Sequence, residues 1–396
     1  MLLQGKKILL GISGSIAAYK TPELVRQLIK QGAEVKVILT QGGAQFVTPL
    51  ALGTVSKHEV FLDISNGAQW HNHVELGMWA DLLLIAPCSA NTMAKMANGL
   101  CDNMLLATYL SAKCPIAFAP AMDLDMWTHP ATQTNLQTLL SFPKHHYIAP
   151  EYGTLASGLV GIGRMPNPES IVLWCKKYFY DILEKKGKAL ISAGPTYEAI
   201  DPVRFIGNHS TGKMGIAIAE ALVEQGYEVT LVLGPTALTT SMPGINIVKV
   251  TDATSMYNAC MQHFDEVQIA IMSAAVADFT PIQKSDIKIK KQGDGGIAVQ
   301  LGQTKDILAA LGQRKTHQIL VGFALETNNE IENAKSKLLR KNADFIILNT
   351  LNDIGAGFGY DTNKVYIVEK NDKVTSYPLQ SKQDTALAII NHILKP

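Results

Sequence analysis

The chain has 396 residues, of which 47% are hydrophobic and 17% charged, and 35 Lys and Arg against 34 Asp and Glu leave a net charge of +1. That length suits two or three domains, each able to bury a core, and the near-neutral charge excludes a global field that would draw the chain to nucleic acid or anionic lipid. No apolar run approaches the roughly 18 residues of a membrane span, the glycine-interrupted start does not read as a signal peptide, and five cysteines without CxxC or zinc spacing predict a reduced, cytoplasmic protein.

Lys6 to Leu10 predicts a short buried strand, Gly11-Ile12-Ser13-Gly14-Ser15 a tight loop, and Ile16 to Gln31 an amphipathic helix stopped by Gly32. Glu34 to Thr40 is β-rich, which completes a βαβ unit with a right-handed crossover. Asp81 to Pro87 and Cys114 to Pro120 predict further buried strands, each ending where polar residues begin, the place where ligands sit in open α/β sheets. After a helix that runs into Glu184-Lys185-Lys186-Gly187, the pattern restarts: strand at Lys188 to Ala193, helix at Gly215 to Gln225, strand at Glu228 to Leu233. Lys288 to Val299, with Gly293, Gly295 and Gly296, predicts a basic flap or hairpin.

Several segments carry chemistry-bearing residues, each with a plain structural alternative. The loop from Gly11 to Ser15 joins strand to helix, so its N–H groups suit a phosphate, to which Thr40 could add a hydroxyl; a purely structural turn is the alternative. It is not GxGxxG, which disfavours NAD. Gly207 to Lys213 fits G-x4-G-K, but Met214 replaces the Ser or Thr that a Walker loop offers magnesium, and the preceding strand is distant. A loop binding anionic oxygens, or a capping turn, fits better. His71 and His73 form an H-x-H pair, either metal ligands, one catalytic imidazole with a bystander, or ordinary hydrogen-bonded residues. Lys284, Lys288, Lys290 and Lys291 follow Ser273 to Phe279, as a solvated charge run or as cations for a triphosphate with Asp278 near a metal.

Taken in order, the motifs resemble the bifunctional coenzyme A biosynthesis family, in which phosphopantothenoylcysteine decarboxylase is fused to phosphopantothenate–cysteine ligase. The front half is similar to flavin-containing cysteine decarboxylases through Gly11 to Lys20, His73-Val74-Glu75-Leu76, Ala86 to Thr92 and Gly99 to Asn103. The back half is similar to the ligase through Asn208 to Gly215, Ala274 to Asp278, Lys288 to Lys291 and Gly322 to Thr327. The resemblance implies an α/β chain of two tandem Rossmann-like three-layer domains: a flavoprotein domain over 1–180, a linker at 181–187, and a ligase domain over 188–396.

It also implies cofactors, substrates and site residues. FMN would be held by Gly14, Ser15, Ile16, Thr40, Ser89, Asn91 and Asp102, with His73 as the base of the decarboxylation. Flavin oxidation of the cysteinyl thiol creates the electron sink that departing carbon dioxide needs. In the ligase half, CTP and Mg2+ would activate the carboxylate of 4′-phosphopantothenate as an acyl-cytidylate, which the amine of L-cysteine attacks. Ala274, Ala275, Asp278, Lys288, Thr304, Lys305 and Asp306 would border the nucleotide, as would Ile307, Phe323, Lys337 and Lys341. Asn208 would help hold the acyl-cytidylate, Lys288 would act on the triphosphate, and Asp278 would ligate the metal. Trimers through the flavin halves, with FMN near subunit contacts, and dimers through the ligase halves would build a dodecamer.

Two residues depart from the family pattern. Pro120-Ala121-Met122-Asp123 has an acid where the family has Asn, and Ala156-Ser157-Gly158 has a hydroxyl where the family has the thiol that donates a proton. A thiol ionises near about 8.5, and a serine hydroxyl is a far weaker acid. The expectation is a working decarboxylase in which Asp123 or a water donates the proton. Alternatives are a working ligase with a flavin-binding regulatory or impaired front half, and a P-loop-like NTPase, which Met214 disfavours.

Overall fold

Runs of Val, Ile and Leu without alternation belong in a sheet covered on both faces, and the computed structural model places them there. It describes residues 1–65, 71–290, 298–326, 328–350 and 359–395; Lys291, Gly293, Gly295, Gly296 and Thr327 lie outside the described residues. The chain divides into two units, Met1–Phe179 and Tyr180–Pro396.

In the first unit, β1 (Lys7–Ile12), β2 (Glu34–Leu39), β3 (Val60–Phe61), β4 (Leu82–Cys88), β5 (Ile116–Pro120) and β6 (His145–Tyr147) form a sheet of order β3-β2-β1-β4-β5-β6, parallel throughout. The period of two along each strand splits the interior into two layers. Ile8, Leu10, Leu82 and Leu84 join one core with Leu24 and Leu28 of the helix Thr21–Lys30. Leu9, Leu83 and Ile85 join another with Met93 and Leu105. A separate antiparallel hairpin, β7 (Glu151–Thr154) with β8 (Val160–Arg164), follows the sheet.

The expected helix Ile16–Gln31 is two helices. A 3-10 turn over Ile16–Lys20 is capped by Ser15, and an α-helix begins at Thr21 with Pro22 in its first turn. Proline lacks the N–H that a continuing ladder needs but fits a helix start, so the apolar periodicity runs through a break. Thr40 is likewise not strand: its hydroxyl caps the short helix Gln41–Ala44 by accepting from Gly43 N–H at 3.1 Å.

The second unit repeats the plan. Its strands β9 (Gly187–Ala193), β10 (Tyr197–Ala199), β11 (Phe205–Gly207), β12 (Tyr227–Leu233), β13 (Ile245–Lys249), β14 (Ile269–Met272), β15 (Phe279–Pro281), β16 (Leu301–Gln303), β17 (Ile319–Glu326), β18 (Phe345–Thr350), β19 (Thr362–Glu369) and β20 (Val374–Ser381) include a main sheet of order β13-β12-β9-β14-β17-β18-β19-β20. The last two strands are antiparallel, and β10–β11 and β15–β16 are short hairpins. The helix that follows Gly212, Lys213–Glu224, lies so close to the sheet that a Cβ added at Gly215 would stand 2.4 Å from Ala193 Cβ and 2.6 Å from Ser273 Oγ. Gly215→Ala is therefore expected to lower the stability of the second unit by ~1–3 kcal/mol, read as an earlier thermal transition with the first unit's transition unmoved.

Candidate functional site

In each sheet the strand order reverses beside the first strand, between β1 and β4 and between β9 and β14. Chain leaving the carboxyl ends of such neighbours diverges and opens a crevice. In the first unit, Ser13 holds that crevice: its buried hydroxyl donates to Pro87 carbonyl and accepts from Ser89 N–H, each at 2.8 Å. Ser89 in turn caps the helix Ala90–Ala97 by accepting from Thr92 N–H at 3.2 Å.

A cavity of about 1170 Å³ opens there, larger than the roughly 300–1,000 Å³ of most small-molecule sites. Gly14, Ser15, Ile16 and Thr40 line it from the loops after β1 and β2, and Ser89, Asn91 and Asp102 from the segments after β4. A Cβ at Gly14 would lie 3.1 Å from the backbone of Gly42, so two bare backbones face each other at this wall. The volume, the capped loops and the glycine pair fit a phosphate-bearing flavin. Lys95, hydrogen-bonded to Asp102, holds that carboxyl below its usual range.

Asp123 also lines the cavity, and its Oδ1 accepts from Leu124 N–H at 2.7 Å as the cap of the helix Leu124–Thr128. Asn and Asp cap helices about equally well, so the acid fits the local fold. The hairpin β7–β8 closes over this loop. Met122 N–H donates to Gly163 carbonyl at 3.0 Å, and Gly163, at φ 156°, would put a Cβ 2.4 Å from Met122 carbonyl oxygen.

Two expected residues stand apart from the cavity wall. Ser157 is exposed at the tip of the β7–β8 hairpin, where its neighbours Leu155 and Ala156, but not Ser157, reach the cavity. His73 opens the helix His73–Trp79 after the cap Asn72, also outside that wall. The H-x-H pair is divided. His71 Nδ1 contacts Asp63 carbonyl at 2.8 Å and its ring meets Phe61 edge-on, a structural role. No cysteine lines the cavity, and burial pushes the thiols of Cys88 and Cys175 up to about 12.

In the second unit, two buried residues brace the crevice. Ser192 Oγ accepts from Ala274 N–H at 3.2 Å, and Thr196 Oγ1 accepts from Ala277 N–H at 3.0 Å. Asn208 Nδ2 donates to the carbonyls of Ala275 and Val276, at 3.0 and 3.1 Å, which leaves its Oδ1 as an acceptor. Thr304 Oγ1 donates to Ala277 carbonyl at 2.7 Å and its N–H to Asp278 carbonyl at 3.0 Å, so Asp278 and Thr304 are brought together. Beside them, Lys337 Nζ donates to Phe323 carbonyl at 2.8 Å, and burial lowers its pKa. Burial pushes the Asp306 carboxyl up, but Lys341 and Ala309 N–H outweigh it and hold Asp306 below its usual value. Asp306 caps the helix Ile307–Arg314, and Lys305 lies 4.8 Å over the Tyr257 ring.

Lys213 is engaged by Asp361, and the helix it begins follows the antiparallel strand β11, not a parallel strand as in a P-loop. Lys288 is exposed. Its neighbour Ile289 is pinned by a pair that gave no signal in the sequence: the buried Asp201 accepts from Ile289 N–H at 3.1 Å and pairs with Arg204, whose Nη2 donates to Ile289 carbonyl at 2.8 Å. No cluster of three metal-ligating side chains occurs among the described residues.

The front of the chain, residues 2–179, matches the family model "Flavoprotein", and residues 184–395 match "DNA/pantothenate metabolism flavoprotein C-terminal domain". A relative from an unknown prokaryotic organism, "Cysteine/Cysteine sulfinic acid decarboxylase", is 51% identical over 88% of this chain and 99% of its own length. The coenzyme A biosynthesis bifunctional protein CoaBC of Bacillus subtilis is 43% identical over 99% of this chain and 97% of its own. A crystal structure of the C-terminal domain of a CoaBC protein is 41% identical, covering 53% of this chain and 95% of that one at a TM-score of 0.46.

The Arg204 guanidinium first, then the N–H groups of Val203, Ile289 and Arg204, hold the Asp201 carboxyl far below the usual carboxylate range, against the desolvation that raises it. An unfolded Asp ionises near about 3.9, so the stability gained is present above that pH and is lost as pH falls toward the folded value. Asp201→Asn is expected to lower the second unit's melting temperature most at neutral pH and least below about pH 3, as read by circular dichroism across an acid series.

Proposed function

The chain belongs to the family of bifunctional coenzyme A biosynthesis proteins CoaBC, and on that premise we propose how its two units perform the two reactions. The protein is a phosphopantothenate–cysteine ligase and a phosphopantothenoylcysteine decarboxylase in one chain. The second unit joins cysteine to 4′-phosphopantothenate, and the first, a flavoprotein, decarboxylates the product. Matches that run the full length of both halves do not favour a front half reduced to regulation.

In the first unit the cavity at the β1–β4 switch carries the assignment, with room for FMN and a substrate side by side. Bound FMN would take two electrons from the cysteinyl thiol and return them after carbon dioxide leaves. Gly14, Ser15, Thr40 and Ser89 would hold its phosphate, and Ile16, Asn91 and Asp102 would border the rest. His73 takes the thiol proton as general base. Its position outside its own chain's cavity, on a helix that exposes Val74 (42%) and Met78 (70%), supports a site completed by a neighbouring copy. This fits trimers of first units and, with dimers of second units, a dodecamer. Ser157 sits at the hairpin tip, apart from the cavity wall, and lacks the acidity to protonate an enethiolate. Asp123, on the cavity wall, takes that task.

In the second unit CTP would be bordered by Ala274, Ala275, Thr304, Lys305, Asp306, Ile307, Phe323, Lys337 and Lys341. Lys288 would neutralise the triphosphate, and Asp278 would be one ligand of the Mg2+ that the nucleotide brings. Asn208, fixed through its amide nitrogen, offers Oδ1 to the acyl-cytidylate or the incoming amine. The protein works in the cytoplasm; no described helix is long and apolar enough to cross a membrane.

Purified protein is expected to show FMN absorbance and to release pyrophosphate from CTP only when 4′-phosphopantothenate is present; release with ATP alone would remove the CTP assignment. Asp123→Asn is expected to keep its helix cap, with stability changed by less than about 0.5 kcal/mol, while formation of 4′-phosphopantetheine falls about 100-fold and the decarboxylated enethiol accumulates in its place. Unchanged turnover in that variant would move the donor's role to water.

A further inference from the structure

The first unit's cavity has a charged end that none of the roles above uses. Lys20 closes the 3-10 turn Ile16–Lys20, Arg164 closes β8, and both side chains line the cavity. They converge from opposite ends of the unit on one neutral atom: Lys20 Nζ lies 3.2 Å and Arg164 Nη2 3.3 Å from Asn167 Oδ1. Lys20 Nζ also donates to Met165 carbonyl at 3.2 Å. Two cations that share an amide oxygen are held within the span of a single phosphate group, and the acceptors that hold them are neutral.

Two carboxylates, Glu151 and Glu169, are near enough to act on Lys20 electrostatically, yet neither forms an ion pair with either cation. Glu151 accepts from Ser170 Oγ at 2.9 Å, and Glu169 accepts from Gln27. Burial, and then the repulsion of Arg164, lower the pKa of Lys20. A dianion placed between the pair would relieve that repulsion and gain charge-assisted hydrogen bonds from both. The glycine-walled crevice at Gly14 and Gly42 lies elsewhere: a 3-10 turn rises ~2 Å per residue, so Lys20 stands at the far end of the turn that Ser15 begins.

We propose that Lys20 and Arg164 form the subsite for the terminal phosphate monoester of the decarboxylase substrate, with Asn167 holding the two cations in register. The inference rests on the decarboxylase reading of the first unit. It makes the pair substrate-binding residues that discriminate a phosphorylated pantothenoyl chain from a dephosphorylated one, and it separates this anion from the cofactor's own phosphate.

The test uses the full-length flavin-loaded protein with Lys20→Gln and Arg164→Gln, and with Lys20→Arg and Arg164→Lys as charge-keeping controls. Calorimetry compares binding of 4′-phosphopantetheine and pantetheine, kinetics compares carbon dioxide release from 4′-phosphopantothenoylcysteine and pantothenoylcysteine, and absorbance reports flavin content. Each Gln variant is expected to keep its flavin and to lose about tenfold or more of the preference for the phosphorylated ligand, with partial recovery in the controls. Loss of flavin with the preference intact would assign the pair to the cofactor's phosphate and overturn the proposal. Equal weakening of both ligands, or no change in either, would also overturn it. Failure of the unaltered protein to decarboxylate either substrate would instead remove the decarboxylase reading, while the calorimetric preference would still report on the subsite.

Discussion

Each crevice in this protein depends on a buried hydroxyl at the point where the sheet reverses its strand order. Parallel strands end with unpaired backbone groups, and where adjacent strands send their chain to opposite faces nothing in the ladder itself fixes the distance between the departing loops. Ser13 supplies the missing tie in the first unit by bridging Pro87 and Ser89. Ser192 and Thr196 supply it in the second by accepting from Ala274 and Ala277. Buried hydroxyls held in hydrogen bonds are rigid cross-links in a low dielectric, Ser13 using both its donor and its acceptor, so the segments that carry Ser89 and Asn91, or Ala275 and Asp278, inherit the rigidity of the sheet.

The two sites handle charge in different ways. In the second unit the cations are partnered inside the site: Lys341 with Asp306, Lys337 with a carbonyl, Arg204 with Asp201. Lysines held this way are pre-positioned, and on the function proposed above a bound nucleotide would redirect them without a long rearrangement. In the first unit, Lys20 and Arg164 have neutral acceptors only, while the acids on the wall are committed, Asp102 to Lys95 and Asp123 to a helix cap. The first arrangement suits a ligand that arrives with its own metal, and the second suits a bare anion.

Much of this was legible in the sequence because parallel strands are continuous apolar runs. Lys7–Ile12, Leu82–Cys88 and Gly187–Ala193 fall within a residue or two of their expected places, and the loops after them carry the expected small and polar residues. The break at Pro22 was hidden because apolar spacing continues across it. Contacts made by tertiary structure left no local trace: Lys20 reaches Asn167 across 147 positions and Asp201 reaches Ile289 across 88. Ser157 shows the reverse case, a motif position readable in sequence whose place at a hairpin tip, away from the cavity wall of its own chain, no pattern could supply.

The hairpin β7–β8 is bonded to itself along Glu151–Arg164 and tied to the Met122 loop through Gly163 at its base. Its outer turn, Leu155 to Leu159, therefore contributes nothing to the main sheet. Such a turn can be exchanged, lengthened or re-lettered as a cassette while the scaffold below stays intact. Residue 157 can thus change without disturbing the fold, and an engineer could graft other turns there to recruit new cysteine-derived substrates onto the same flavoprotein.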